Sequence, residues 1–114
     1  MHTAAAHADP VDAVFHALSH ATRRAVVARL GRGPASVSEL AAPFEMALPS
    51  FCQHLRVLEG AGVVRSHKRG RVRTYALNPA PLAAGERWLA EQRNLWTARL
   101  DQLDALLTST SELE

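Results

Sequence analysis

With a single cysteine, Cys52, in 114 residues, the chain cannot be held by an intramolecular disulfide framework. No apolar run approaches the ~20 residues that a membrane-spanning helix needs. The start, MHTAAAHADP, has neither a basic flank nor a long apolar stretch, so it does not read as a signal peptide. Catalytic groupings are also missing: no Ser/His/Asp set, paired carboxylates or phosphate-cradling glycine loop is present, which argues against an enzyme. The six histidines (His2, His7, His16, His20, His54 and His67) are scattered. Only His16 and His20 stand four apart, and they straddle an expected helix break. Neither a metal site nor any other cofactor is therefore expected. What remains is a cytoplasmic binding protein without a membrane partner.

Net charge is small, +2, but it is unevenly placed. Between Arg56 and Arg73 lie Arg56, Arg65, Lys68, Arg69, Arg71 and Arg73 against the lone acid Glu59, while the chain from Glu86 onward carries more acids than bases. A basic segment in a nearly neutral domain is the footprint of a polyanion binder, although a solvated hairpin would carry the same charges. Apolar residues at 47% and charged residues at 21% fit one ordinary folded domain. We place it at residues 9–108, between an N-terminal tail, 1–8, and a C-terminal tail, 109–114.

The periodicity predicts about five helices and a two-stranded wing. Val11, Val14, Phe15 and Leu18 recur at helical spacing after Asp9-Pro10, a cap followed by a first-turn proline. A second helix starts near Ser19 to Thr22 and stops at Gly31-Arg32-Gly33-Pro34. Ser36-Val37-Ser38-Glu39 has the capping-box pattern and opens a third helix, which ends near Pro43. The fourth runs from about Leu48 to Glu59, with Pro49 in its first turn, and Gly60 and Gly62 close it. Strands at Val63–Ser66 and Val72–Leu77 then flank a turn at 67–71. After Asn78-Pro79, a long last helix carries Leu89, Trp96, Leu100, Leu103 and Leu107 on one stripe, widened by Trp88, Leu95 and Leu106.

Two short helices joined by a tight turn and followed by a basic hairpin make a winged helix-turn-helix, whose second helix enters the major groove of DNA. On helix four, Phe51, Leu55 and Leu58 share the face expected to pack inward. The opposite face holds Pro49, Gln53 and Arg56, with Ser50 and Cys52 on its shoulders. Gln can hydrogen-bond adenine bidentately, and Arg can pair with guanine or phosphate. Ser38 at the third helix start, together with Lys68, Arg69, Arg71 and Arg73 of the wing, completes the expected contacts to double-stranded DNA. Arg23 and Arg24 fit either a phosphate contact or an ion pair. The stripe on the last helix exceeds what so small a domain can bury alone, so Leu89, Trp96, Leu100, Leu103 and Leu107 are expected to pair two chains. A winged helix serving only as a protein-interaction module is the rival reading, and it would not need exposed Gln53 and Arg56 beside a basic wing.

The segments FHALSHATRRAVVARL, SVSELAAPFEMALPSFCQHLRVLEGAGVV and RGRVRTYALNP, with WTARLDQLDALL near the end, resemble the ArsR type of bacterial winged-helix repressors from about Val14 to Leu107. The resemblance implies a homodimer in which the first and last helices, Val14 among them, meet across a two-fold axis and present two recognition helices to a palindromic operator. Many members of that family release DNA on binding metal or on oxidation. The family's best-known metal sites have no counterpart here. The third helix reads SVSEL where a Cys-x-Cys-type box would stand, and Asp101 and Asp104 of the last helix have no histidine partner. Phe51, Cys52 and Gln53 also stand where the family often has a β-branched residue, Ser and a basic residue, and Ala47 replaces a hydroxyl cap. No small-molecule or redox effector can be named from the residues.

Overall fold

The computed structural model describes residues 9–113, so the tail expected at 1–8 lies outside the described residues. Among those described, the helices are α1 (Pro10–Ala17), α2 (Ala21–Leu30), α3 (Val37–Ala41), α4 (Leu48–Gly60) and α5 (Pro79–Leu113). The strands are β1 (Ala35–Ser36), β2 (Val64–Arg69) and β3 (Val72–Leu77), forming one antiparallel sheet in the order β1-β3-β2.

Local chemistry sets most of these boundaries. Asp9 Oδ1 accepts the Val11 N–H at 2.8 Å and starts α1, with Pro10 at its first turn. His20 takes the same role for α2, its Nδ1 accepting from Thr22 N–H at 3.1 Å. Ser36 and Glu39 form the full reciprocal box: Ser36 N–H donates to Glu39 Oε1 at 2.9 Å, and Glu39 N–H donates to Ser36 Oγ at 3.2 Å. The bond from the Ser36 N–H, above all, favours the charged form of Glu39 and holds its carboxyl below its usual value. The helix α4 begins at Ala47 with no side-chain cap and relies on its first-turn proline and on packing.

One core joins the elements. Phe51, Leu55 and Leu58 of α4 are fully buried, with Val26 and Leu30 of α2, Leu40 of α3 and Val63, Val64 and Tyr75 at the sheet. Asn78 closes the far end of the sheet, its N–H donating to Val63 O and its Nδ2 to Gly62 O, both at 2.8 Å. Gly62, with φ +76°, occupies the left-handed conformation that turns α4 into β2.

Four sequence expectations need correction. The sheet has three strands rather than two, because Ala35↔Tyr75 and Ser36↔Thr74 pair β1 with β3. The wing strands extend further than expected, to Arg69↔Val72, so the turn shrinks to Gly70-Arg71, with Gly70 at φ +64°. The last helix runs to Leu113, through most of the segment expected as a C-terminal tail at 109–114, and Thr110 Oγ1 donates to Leu106 O at 3.0 Å within it. Val14 is only 1% exposed within its own chain, so it is a core residue and is not available to a partner. Its Cγ1 would lie 3.3 Å from a Cβ on Gly85, so the glycine lets α5 approach α1 closely.

Candidate nucleic-acid interface

The buried face of α4 dictates the exposed one. With Phe51, Leu55 and Leu58 locked in the core, Pro49, Ser50, Gln53 and Arg56 project to solvent, and Cys52 is half-buried at the edge. With His54, the four exposed residues line a shallow depression of about 540 Å³ along the helix. Arg56 Nη2 donates to Gln53 Oε1 at 2.6 Å, leaving the Gln53 amide N–H groups and the other guanidinium donors of Arg56 for a ligand. A bidentate contact of Gln53 with adenine uses the same oxygen, whose second lone pair is left to accept from the base.

The wing is tied to this helix by a short relay. Ser66 Oγ donates to Glu59 Oε2 at 2.8 Å and accepts from Arg73 Nη1 at 2.9 Å, so the lone acid of the basic segment is linked to Arg73. Arg73 therefore holds β3 to the end of α4 and is less free than the other wing cations. Lys68, Arg69 and Arg71 are exposed at the tip. Ser38, at the start of α3, lines a depression of about 220 Å³ with Arg71 and Arg73, so hydroxyl and guanidinium groups from two elements meet there. The structure thus gathers Ser38 with the wing arginines, and Pro49, Ser50, Gln53 and Arg56 with one another.

Behind α4 lies a cluster that sequence reasoning missed. Arg23, 8% exposed, donates to Ala17 O (2.8 Å), His16 O (3.1 Å) and Ser19 Oγ (3.3 Å), and its Nη1 lies 3.0 Å from His54 Nδ1. It is neither a phosphate ligand nor one half of an ion pair; it fastens the α1–α2 turn to α4. Because a guanidinium only donates, His54 Nδ1 must accept, which puts the proton of the neutral ring on Nε2. The His20 ring sits 4.3 Å from that of His54. Desolvation, then the nearby His20 and Arg23, push His54 below its usual value. Arg24, by contrast, is exposed and donates to Leu18 O at 2.7 Å. The available signal was the run Thr22-Arg23-Arg24, but nothing local links it to a histidine 31 positions later.

The stripe on α5 is uncovered. Leu89, Trp96, Leu100, Leu103 and Leu107 are each 49–62% exposed, and Leu95 and Leu106 are exposed at 54% and 63%. Trp88 rests edge-on against Phe15 of α1 with ring centroids 5.7 Å apart and still shows 43% of its surface. Among the described residues no group of three or more His, Cys, Asp and Glu side chains could hold a metal ion, and no helix is long and apolar enough to cross a membrane.

Comparison with known proteins gives a consistent picture. A helix-turn-helix domain family matches residues 18–67. The chain is 37% identical over 101 residues to the HTH-type transcriptional regulator Rv2034 of Mycobacterium tuberculosis, covering 89% of this chain and 92% of that one. It is 33% identical over 76 residues to the transcriptional repressor SdpR of Bacillus subtilis, covering 67% and 84%. The crystal structure of an ArsR family transcriptional regulator superposes with a TM-score of 0.75 at 56% identity, over 78% of this chain and 98% of the other.

Proposed function

Because the chain belongs to the ArsR family of helix-turn-helix transcriptional regulators, we propose that it binds a palindromic operator in double-stranded DNA as a homodimer and represses transcription. The observation that carries this reading is the division of α4, whose inner face is fully buried while Pro49, Ser50, Gln53 and Arg56 stay exposed beside a tethered basic wing. A module serving only protein contacts has no use for that combination.

Roles follow from chemistry. Gln53 and Arg56 read base edges, with Pro49, Ser50 and Cys52 packing against the groove. Lys68, Arg69 and Arg71 neutralise phosphates, Ser38 donates a hydroxyl to the backbone, and Arg73 positions the wing as well as adding charge. Two chains joined along α5 through Leu89, Trp96, Leu100, Leu103 and Leu107 would set their recognition helices about 34 Å apart, one helical turn of DNA. Repression is the direction suggested by the likeness to SdpR. A DNA-binding regulator of this kind works in the cytoplasm.

The experiment is a salt titration of duplex binding for the parent protein and a Lys68→Gln, Arg69→Gln, Arg71→Gln variant. For every phosphate that is no longer neutralised, the slope of log K against log salt should become shallower by about 0.9. Affinity should fall for every duplex alike. An unchanged slope would remove the wing from the interface.

A further inference from the structure

A cavity of about 560 Å³ opens between α2, α3 and the connector after α3, and it shares no residue with the proposed DNA contacts. Its size lies within the range of small-molecule pockets. Its apolar lining is Ala25, Val26 and Ala28 of α2, Leu40 of α3, and Pro43 and Phe44 of the connector. Arg29, Arg32 and Glu39 supply its charge. Glu39 is compensated, since the Ser36 N–H bond and the charge of Arg29 favour its carboxylate. Arg29 Nη1 donates to Gly33 O at 3.1 Å, which fixes that guanidinium at the rim and leaves its other donors available. Arg32 is exposed, and its side chain makes no hydrogen bond among the described residues. The cavity is therefore mostly apolar, with surplus positive charge among its lining residues.

We propose that this cavity binds a small aromatic carboxylate, its ring among Ala25, Ala28 and Phe44 and its carboxylate on Arg32 and Arg29, and that occupancy weakens DNA binding. The cavity communicates with the recognition helix through one contact. The Phe44 ring lies 5.4 Å from that of Phe51, at 32°, and Phe51 is fully buried in α4. A ring inserted beside Phe44 displaces it against Phe51, and a close-packed core passes such a shift to the helix instead of absorbing it. The regulatory half of this proposal rests on the DNA-binding reading; the binding half does not.

Calorimetry with 2-naphthoate, and with 2-naphthamide as its uncharged counterpart, tests the site directly. The parent protein should bind naphthoate more tightly than naphthamide. Arg32→Gln should weaken naphthoate by about tenfold and leave naphthamide unchanged. Ala28→Trp, a change at an exposed position that fills the cavity, should abolish both. Undiminished naphthoate binding by Ala28→Trp, equal affinities for the two compounds, or no binding at all would overturn the site. Fluorescence anisotropy with a duplex selected from a random pool tests the coupling. Saturating naphthoate should weaken the parent protein's duplex binding by about tenfold and leave that of Ala28→Trp unaffected. If naphthoate binds and duplex affinity does not move, the coupling is overturned. If the ligand-free protein fails to bind any duplex, the DNA reading fails while the calorimetric result stands on its own.

Discussion

Replacing Leu100 and Leu103 together by Glu should convert the protein from dimer to monomer. At 100° per residue, Trp88, Leu89, Leu95, Trp96, Leu100, Leu103, Leu106 and Leu107 fall within an arc of about 140° on α5, interrupted by Gln92 and Arg99. All eight are 43–63% exposed in the single chain. With about half of each side chain uncovered, they present on the order of 800 Å² of apolar surface, what one partner contributes to an interface of standard size. Leu100 is 61% and Leu103 49% exposed, so covering each contributes about 1 kcal/mol per chain, roughly half of a full leucine burial. Four such leucines in a dimer amount to about 4 kcal/mol, or a thousandfold in Kd, before any cost of desolvating the new carboxylates. The assay is sedimentation equilibrium from 0.1 to 100 times the parent Kd, with circular dichroism to confirm that helix content is kept. Because both positions are exposed in the single chain, the variant should remain folded. A double variant that dimerises with parental affinity would refute the placement of the interface on α5.

Other consequences concern the cluster behind α4 and the caps. Arg23→Met should destabilise the protein by about 3 kcal/mol, because it leaves the Ala17 carbonyl and His54 Nδ1 without a donor. Thermal unfolding at fixed protein concentration should show a drop of about 10 °C or more, and a change under 2 °C would contradict the role assigned to that clamp. The pH dependence has two acid steps. The pKa of His54 is lowered in the folded chain, so its contribution is complete above its usual 6.5 and is lost as the pH falls from there toward the folded value. Glu39 is likewise lowered, so its share is complete above 4.5 and is lost as the pH falls through its folded value. His54→Asn, which keeps an acceptor for Arg23, should abolish the upper step and leave the lower; an unaltered upper step would assign it elsewhere.

The parts of the fold that were legible in the sequence are those fixed by short-range chemistry. Asp9-Pro10, the Ser36–Glu39 box, Pro49 and Gly62 each commit the backbone within a few residues, and the helices begin and end there. The inward face of α4 was legible because a helical period sorts Phe51, Leu55 and Leu58 from Gln53 and Arg56. What escaped depended on partners distant in the chain. A strand as short as Ala35–Ser36 has no period to read, and only its register with Tyr75 and Thr74 makes it a strand. Periodicity marked Val14 as covered without saying by what, and the cover is the chain's own α5 at Gly85. Arg23 read as a phosphate contact or an ion pair, since its acceptors, two carbonyls and a histidine of another helix, leave no trace in local composition. The continuation of α5 through Thr108-Ser109-Thr110 lay in the segment expected as a tail; these residues are poor helix formers, yet no glycine or proline among them enforces an end.

The central claim, sequence-specific DNA binding through α4 and the wing, is tested most directly by fluorescence anisotropy of the full chain against two duplexes of equal length. One is the sequence the protein enriches from a random pool; the other is a scrambled version of it. Titrations across a range of salt should give affinities that fall with salt for both, and a preference for the enriched duplex of about a thousandfold or more at physiological ionic strength. Equal affinity for the two duplexes, or binding of either that does not respond to salt, would contradict the account.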